Sequence, residues 1–192
     1  MPRTLVLCLA FLFALTGCSS MKPQDFAGTT PTFALEDYFD GKVRAWGIFQ
    51  DRFGRLRRQF VVDITGTWDG ETLTLVEDFV YDDGELDQRI WHIRKLDEHR
   101  YEGTADDVVG TAVGIAYGNA LNWSYDFDLL VGERRIRVRF DDWMFLQDQE
   151  VMINRAEVIK WGFTLGEVSI FFTRQDQDDI ARQTAAAAEA AE

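Results

Sequence analysis

Three charged side chains stand where strand alternation calls for apolar ones. Glu77, Arg89 and Asp142 fall on the dry faces of their segments, with Asp142 opposite Trp123. A buried carboxylate needs a cation or hydrogen-bond donors, because leaving it unpaired is costly. Two roles fit the trio. It is the polar floor of a ligand cavity, where Arg89 grips a carboxylate headgroup through two parallel N–H bonds. Or it is an internal salt bridge that fixes strand register and touches no ligand.

Other candidate chemistry is thinner. His92 alternates away from Trp91 and faces outward, and His99 sits in the charged turn Asp97-Glu98-His99-Arg100. Neither has a Ser or Cys nucleophile beside it, so both read as surface histidines and no catalytic residue is assigned. Asp106 and Asp107 are neighbours on an extended chain, which sends them to opposite faces; they read as solvated loop carboxylates. Two His and two Cys fall short of a zinc cluster, and no phosphate loop, CxxC or HExxH occurs. No metal and no cofactor is expected. With 20 Lys and Arg against 33 Asp and Glu, the net charge of −13 repels phosphate backbones and excludes nucleic acid as a partner.

The elements that must position these groups are strands. Phe60, Val62, Ile64 and Trp68 alternate with polar residues; so do Leu73, Leu75, Phe79 and Tyr81, and Trp123, Tyr125, Phe127 and Leu129. One wet and one dry face per segment is the pattern of antiparallel sheets. Gly132-Glu133 suits a two-residue type II′ hairpin. It sets Leu129 opposite Ile136, Phe127 opposite Val138 and Tyr125 opposite Phe140, with Asp128 facing Arg137 and Asp126 facing Arg139 on the other side. Asp82-Asp83-Gly84 suits a three-residue loop ending in a left-handed Gly, which pairs Leu73 with Ile93, Leu75 with Trp91 and Glu77 with Arg89. Further strands are expected near 42–50, 100–105, 111–119, 151–160 and 166–173, with turns at Arg52-Phe53-Gly54, Trp68-Asp69-Gly70 and Gly162 to Gly166. Gly110, Gly114 and Gly118 read as sites of a bend or bulge at a barrel corner.

The reading is therefore all-β: a single antiparallel meander of about 8–10 strands closing into a lipocalin-like (calycin-type) barrel, since closure disposes of exposed edges. Such a barrel is filled by side chains or holds one small ligand. The expected pocket lining is Leu75, Phe79, Trp91, Trp123, Tyr125, Phe127 and Phe140. A membrane-spanning barrel is excluded by charged pairs such as Asp128–Arg137, which would face lipid.

The N-terminus reads as an address. Leu5 to Leu15 is an apolar run too short to span a bilayer as a helix, preceded by Arg3 as its only charge. Leu15-Thr16-Gly17-Cys18 resembles the lipobox of bacterial lipoproteins. That resemblance implies residues 1–17 as a cleaved signal peptide and Cys18 as the lipidated residue, anchored through more than one acyl chain. Ser19 in place of Asp resembles the pattern sorted to the outer membrane, with the domain facing the periplasm. Cleavage removes Cys8, so no disulfide is possible and the core holds the fold alone. Residues 18–32 are expected to be the acylated Cys and a tether, 33–174 the barrel, and 175–192 an acidic, Ala-rich tail without an apolar stripe, mobile or weakly helical.

The domain as a whole resembles DUF3833, a family of uncharacterised bacterial lipoproteins. The resemblance is carried by Leu35-Glu36-Asp37-Tyr38-Phe39-Asp40-Gly41, Trp46-Gly47, residues 103–110, Gly118-Asn119-Ala120, Asp141-Asp142-Trp143-Met144 and Lys160-Trp161-Gly162. It implies an anchored envelope protein and brings no activity with it. The expected function is binding of a small hydrophobic or fatty ligand inside the barrel. The alternative is an interaction module with a filled barrel, docking another envelope protein. An enzyme is not expected.

Overall fold

The computed structural model describes residues 21–131 and 134–175. Residues 1–20, which include the expected signal peptide and Cys18, the Gly132-Glu133 turn and the tail from residue 176 lie outside the described residues. Ten strands follow one another: β1 (Gly41–Asp51), β2 (Leu56–Trp68), β3 (Thr72–Tyr81), β4 (Leu86–Lys95), β5 (Arg100–Thr104), β6 (Val108–Tyr117), β7 (Ala120–Val131), β8 (Arg134–Leu146), β9 (Val151–Lys160) and β10 (Phe163–Arg174). Each pairs antiparallel with the next, and β1 pairs with β10, so the meander closes into a barrel. Closure pairs every strand on both sides, although β5 meets β4 only along His92–Lys95.

Both derived registers hold. Tyr125 faces Phe140, Asp126 faces Arg139, Phe127 faces Val138 and Asp128 faces Arg137. Leu73 faces Ile93, Leu75 faces Trp91 and Glu77 faces Arg89, and Gly84 takes the left-handed conformation the three-residue loop requires (φ 84°). Gly110 is also left-handed (φ 76°), at the irregularity in β6–β7 pairing between Val109 and Val113, so it does mark a bulge.

Two expectations are corrected. The connection before β10 is not a loop from Gly162 to Gly166. Trp161 and Gly162 alone make it, both with positive φ (51° and 80°), as a tight two-residue hairpin demands. Gly166 sits inside β10, at a register shift. Nor is the segment up to Thr32 a free tether. Pro23–Phe26 forms a short 3-10 turn, and the Phe26 ring packs against Trp143 and Phe145 on the outer wall, centroids 6.0 and 5.6 Å apart. The Asn119 N–H donates to Thr29 Oγ1 at 2.9 Å, and the Phe33 N–H to the Gly118 carbonyl at 2.7 Å. One isolated Phe carries no periodicity, which is why this docking was invisible in the sequence.

The barrel has two unlike ends. At one, helix α1 (Leu35–Phe39) folds inward and Phe33, Leu35, Tyr38 and Phe39 are buried as a plug. Tyr38 meets Phe39 edge-on at 5.0 Å, and its hydroxyl donates to the Glu150 carbonyl at 2.9 Å. Glu36 accepts from the Tyr101 hydroxyl at 2.9 Å and pairs with Lys95. Gly66 makes this closure possible: a Cβ there would lie 1.8 Å from the Phe39 carbonyl oxygen. The other end carries the connections after β1, β3, β5, β7 and β9. Among the described residues, the five most exposed large apolar side chains all sit at that end: Phe53, Leu86, Leu130, Trp161 and Phe163, with Trp161 at 87%.

Candidate ligand cavity

Alternation along ten strands sends one set of side chains inward, and here they do not fill the space. A cavity of about 870 Å³, within the size range of sites for drug-sized ligands, runs from the barrel interior out to the exposed rim at Leu130 and Arg135. Leu75, Phe79, Trp91, Trp123, Tyr125, Phe127 and Phe140, the seven residues read as lining, all line it. The filled barrel of the alternative reading is therefore corrected: the interior is hollow. Small residues keep it so. Trp123 lies flat against β5 and β6 because Gly103 and Gly114 stand there; Cβ atoms at those positions would come within 2.7 and 2.4 Å of its ring. Trp91 meets Trp123 edge-on at 5.7 Å and Tyr125 at 5.4 Å, and Tyr125 stacks on Phe140 at 5.1 Å.

Glu77, Arg89 and Asp142 all reach the cavity, as their dry-face positions required. Arg89 is nevertheless not the free cation a carboxylate headgroup would need. Its Nη1 lies 4.0 Å from Glu77 Oε2, while Nε donates to Asp107 Oδ2 at 2.9 Å and Nη2 is ion-paired with the same oxygen at 2.9 Å. The Phe127 and Phe79 rings lie 5.0 and 5.5 Å from the guanidinium carbon, within cation–π range.

Asp107 is the cavity residue that sequence reasoning missed, and its reading as a solvated loop carboxylate is corrected. A loop residue has no face, so alternation was silent. The β4–β5 register held the signal: His92 pairs with Thr104, and extending that ladder three residues brings Arg89 level with Asp107. His92 faces outward as expected. His99 is half-buried at the plugged end, stacked on Tyr117 at 3.9 Å with Nδ1 3.0 Å from the Ala116 carbonyl.

The electrostatics follow from three carboxylates sharing one guanidinium. Burial pushes Glu77 up to about 7, against the pull of Arg89 and with the help of Asp107. Burial likewise pushes Asp142 up to about 7, opposed by a hydrogen bond from Tyr125 and reinforced by Asp141. Burial also raises the Tyr125 hydroxyl far above its ordinary value, so it stays a donor. Arg89 is desolvated too, yet Glu77, Tyr125 and Asp107 hold it firmly ionised. Only 15% of the Glu77 side chain is exposed, and it lines the cavity. Asp142 is buried, and one oxygen each of Asp142 and Asp107 is buried without a hydrogen-bond partner. Among the described residues no group of three His, Cys, Asp or Glu side chains is placed to hold a metal ion.

Residues 12–174 match the family described as "Protein of unknown function (DUF3833)". No curated protein matches the sequence. Two solved structures share the architecture. One is the S-type phycobiliprotein lyase CPES from Guillardia theta, 10% identical, with a TM-score of 0.55 over 76% of this chain and 94% of that one. The other is Rv2717c from M. tuberculosis, 12% identical, with a TM-score of 0.54 over 77% of this chain and 99% of that one. At such identity the likeness is one of fold, a calycin-type barrel.

Proposed function

We propose that this chain, which belongs to the DUF3833 family, is a membrane-anchored carrier whose barrel holds a small apolar ligand. One observation carries the reading: a cavity of about 870 Å³ walled by Trp91, Trp123, Tyr125, Phe127 and Phe140, plugged at one end and bordered by loops at the other. A barrel whose only role was structural gains dispersion energy by filling that space, so an aromatic-lined void is costly unless a ligand occupies it. The lyase that shares the fold supports a barrel that receives small molecules. Anchoring rests on Cys18 in its lipobox context, and placement at the outer membrane facing the periplasm rests on Ser19.

Carriage rather than chemistry fits the described side chains, because His92 and His99 lie away from the cavity floor. Two acids that titrate near neutrality are also what a proton donor would use. The test is to purify the chain from its own envelope without denaturant and weigh it by native mass spectrometry. An apolar adduct, lost on denaturation and chemically unchanged, is the expected result. A chain with no adduct that also fails to take up an apolar fluorescent dye overturns the reading; an altered adduct assigns an enzyme.

A second role, docking to another envelope protein, is favoured by the rim of the open end. Phe53, Leu130, Trp161 and Phe163 stand exposed beside Arg52, Arg55, Arg134 and Arg135, while Asp82, Asp83, Glu85 and Asp106 occupy the remaining connections. A split of basic and acidic sectors around apolar tips suits a protein partner of complementary charge.

A further inference from the structure

The cavity floor has more acceptors than donors. Glu77, Asp107 and Asp142 bring six carboxylate oxygens, and the donors turned toward them are Arg89 and the Tyr125 hydroxyl. Arg89 spends Nε and Nη2 on Asp107 and leans Nη1 toward Glu77, under the rings of Phe127 and Phe79. Asp107 Oδ1 and Asp142 Oδ1 remain buried without a partner, and Asp142 is only 6% exposed.

A buried acceptor left unpaired bears the full cost of its desolvation, and a charged one bears more. The same arithmetic reads out a ligand. An incoming carboxylate would add a negative charge beside three acids and find the guanidinium already bound. An incoming N–H or O–H group would supply what the floor lacks, and a cationic one would also offset the surplus negative charge.

We propose that the cavity selects apolar ligands that end in a hydrogen-bond donor, an amine before a hydroxyl, and rejects fatty carboxylates. The proposal rests on the ligand-binding reading above and specifies its polar end. The apolar body lies along Trp91, Trp123 and Phe140, and the donor head meets Asp142 beside Tyr125. Exclusion of carboxylates follows from Arg89 being ion-paired with both Asp107 and Glu77, so that its charge is already offset inside the barrel.

Three probes that share one tail isolate the head: decylamine, decanol and decanoate. The full-length protein, held in phosphatidylcholine nanodiscs, is titrated with each at about pH 8.5, above the range in which Glu77 and Asp142 hold protons, while the emission of the cavity tryptophans is followed. Decylamine is expected to bind at least tenfold more tightly than decanoate, with decanol between them. Asp142→Asn should narrow the amine-to-carboxylate ratio at least threefold, and Glu77→Gln, removing a neighbouring acid, should narrow it further. Decanoate binding as tightly as decylamine overturns the proposal and leaves the carrier reading standing. So does an amine preference that survives both variants, since the acids would then not be its source. Failure of all three probes to bind removes the carrier reading itself, and this proposal with it.

Discussion

Replacing Asp142 by Asn keeps the shape of the side chain and removes its charge. The carboxyl is raised from 3.8 to about 7 by burial, so the folded chain holds a proton that the unfolded chain releases. Below pH 3.8 the group is protonated in both states and its contribution to stability is fully present. As pH rises toward 7 the unfolded state ionises first, and stability falls by about 1.4 kcal/mol per pH unit. Between pH 5 and pH 7 that loss amounts to about 2 kcal/mol, since the folded group is itself half ionised at pH 7, and it levels off by pH 8. Asn has nothing to ionise. Asp142→Asn should therefore gain about 2–3 kcal/mol over the wild type on going from pH 5 to pH 8, the lower figure allowing for relaxation around the cavity. Glu77 titrates in the same window, so the quantity to read is the difference between wild type and variant, not either curve alone. Urea unfolding followed by tryptophan emission at the two pH values measures it. A variant that tracks the wild type within about 0.5 kcal/mol at both refutes the claim that Asp142 is buried and proton-holding.

Arg89→Ala should destabilise the fold by roughly 3–5 kcal/mol, because it strands Asp107 as well as Glu77. An apolar replacement of the Glu77–Arg89 pair alone should recover little of this, whereas adding Asp107→Asn should recover most of it; full recovery by the double variant in urea unfolding would show that Asp107 is not a true partner. Gly66→Ala should cost at least about 2 kcal/mol by forcing α1 off the barrel end, and should quicken exchange of the Tyr38 and Phe39 amides; an unchanged melting curve would refute the close approach. Cys18→Ala should abolish incorporation of labelled palmitate into the protein, and a variant that still takes up the label removes the lipobox assignment.

Much of this fold is written in short-range pattern. Apolar residues two apart fix which side chains share a face, and turn chemistry fixes where strands reverse, so Tyr125 opposite Phe140 and Glu77 opposite Arg89 follow from Gly positions and counting. These are properties of neighbouring residues, and a one-residue slip would turn every apolar side chain outward. Seven lining residues and three interior charges were legible for the same reason. Where turn chemistry is weaker the reading faltered: Trp161 accepts a left-handed conformation that Gly or Asn would ordinarily supply, so the Gly162 to Gly166 segment passed for the loop.

Tertiary structure alone decided whether the barrel is hollow, which end is plugged, and to whom Arg89 belongs. Cavity volume is the difference between what ten tilted strands enclose and what their inward side chains occupy, and no local window contains either quantity. The plug depends on Gly66 admitting the Phe39 carbonyl from a segment more than twenty residues away. Asp107 meets Arg89 because the β4–β5 ladder carries its register beyond the last paired residues into a loop. Alternation made the interior of this protein charged; closure of the ring, by gathering three acids around one guanidinium, made it short of donors.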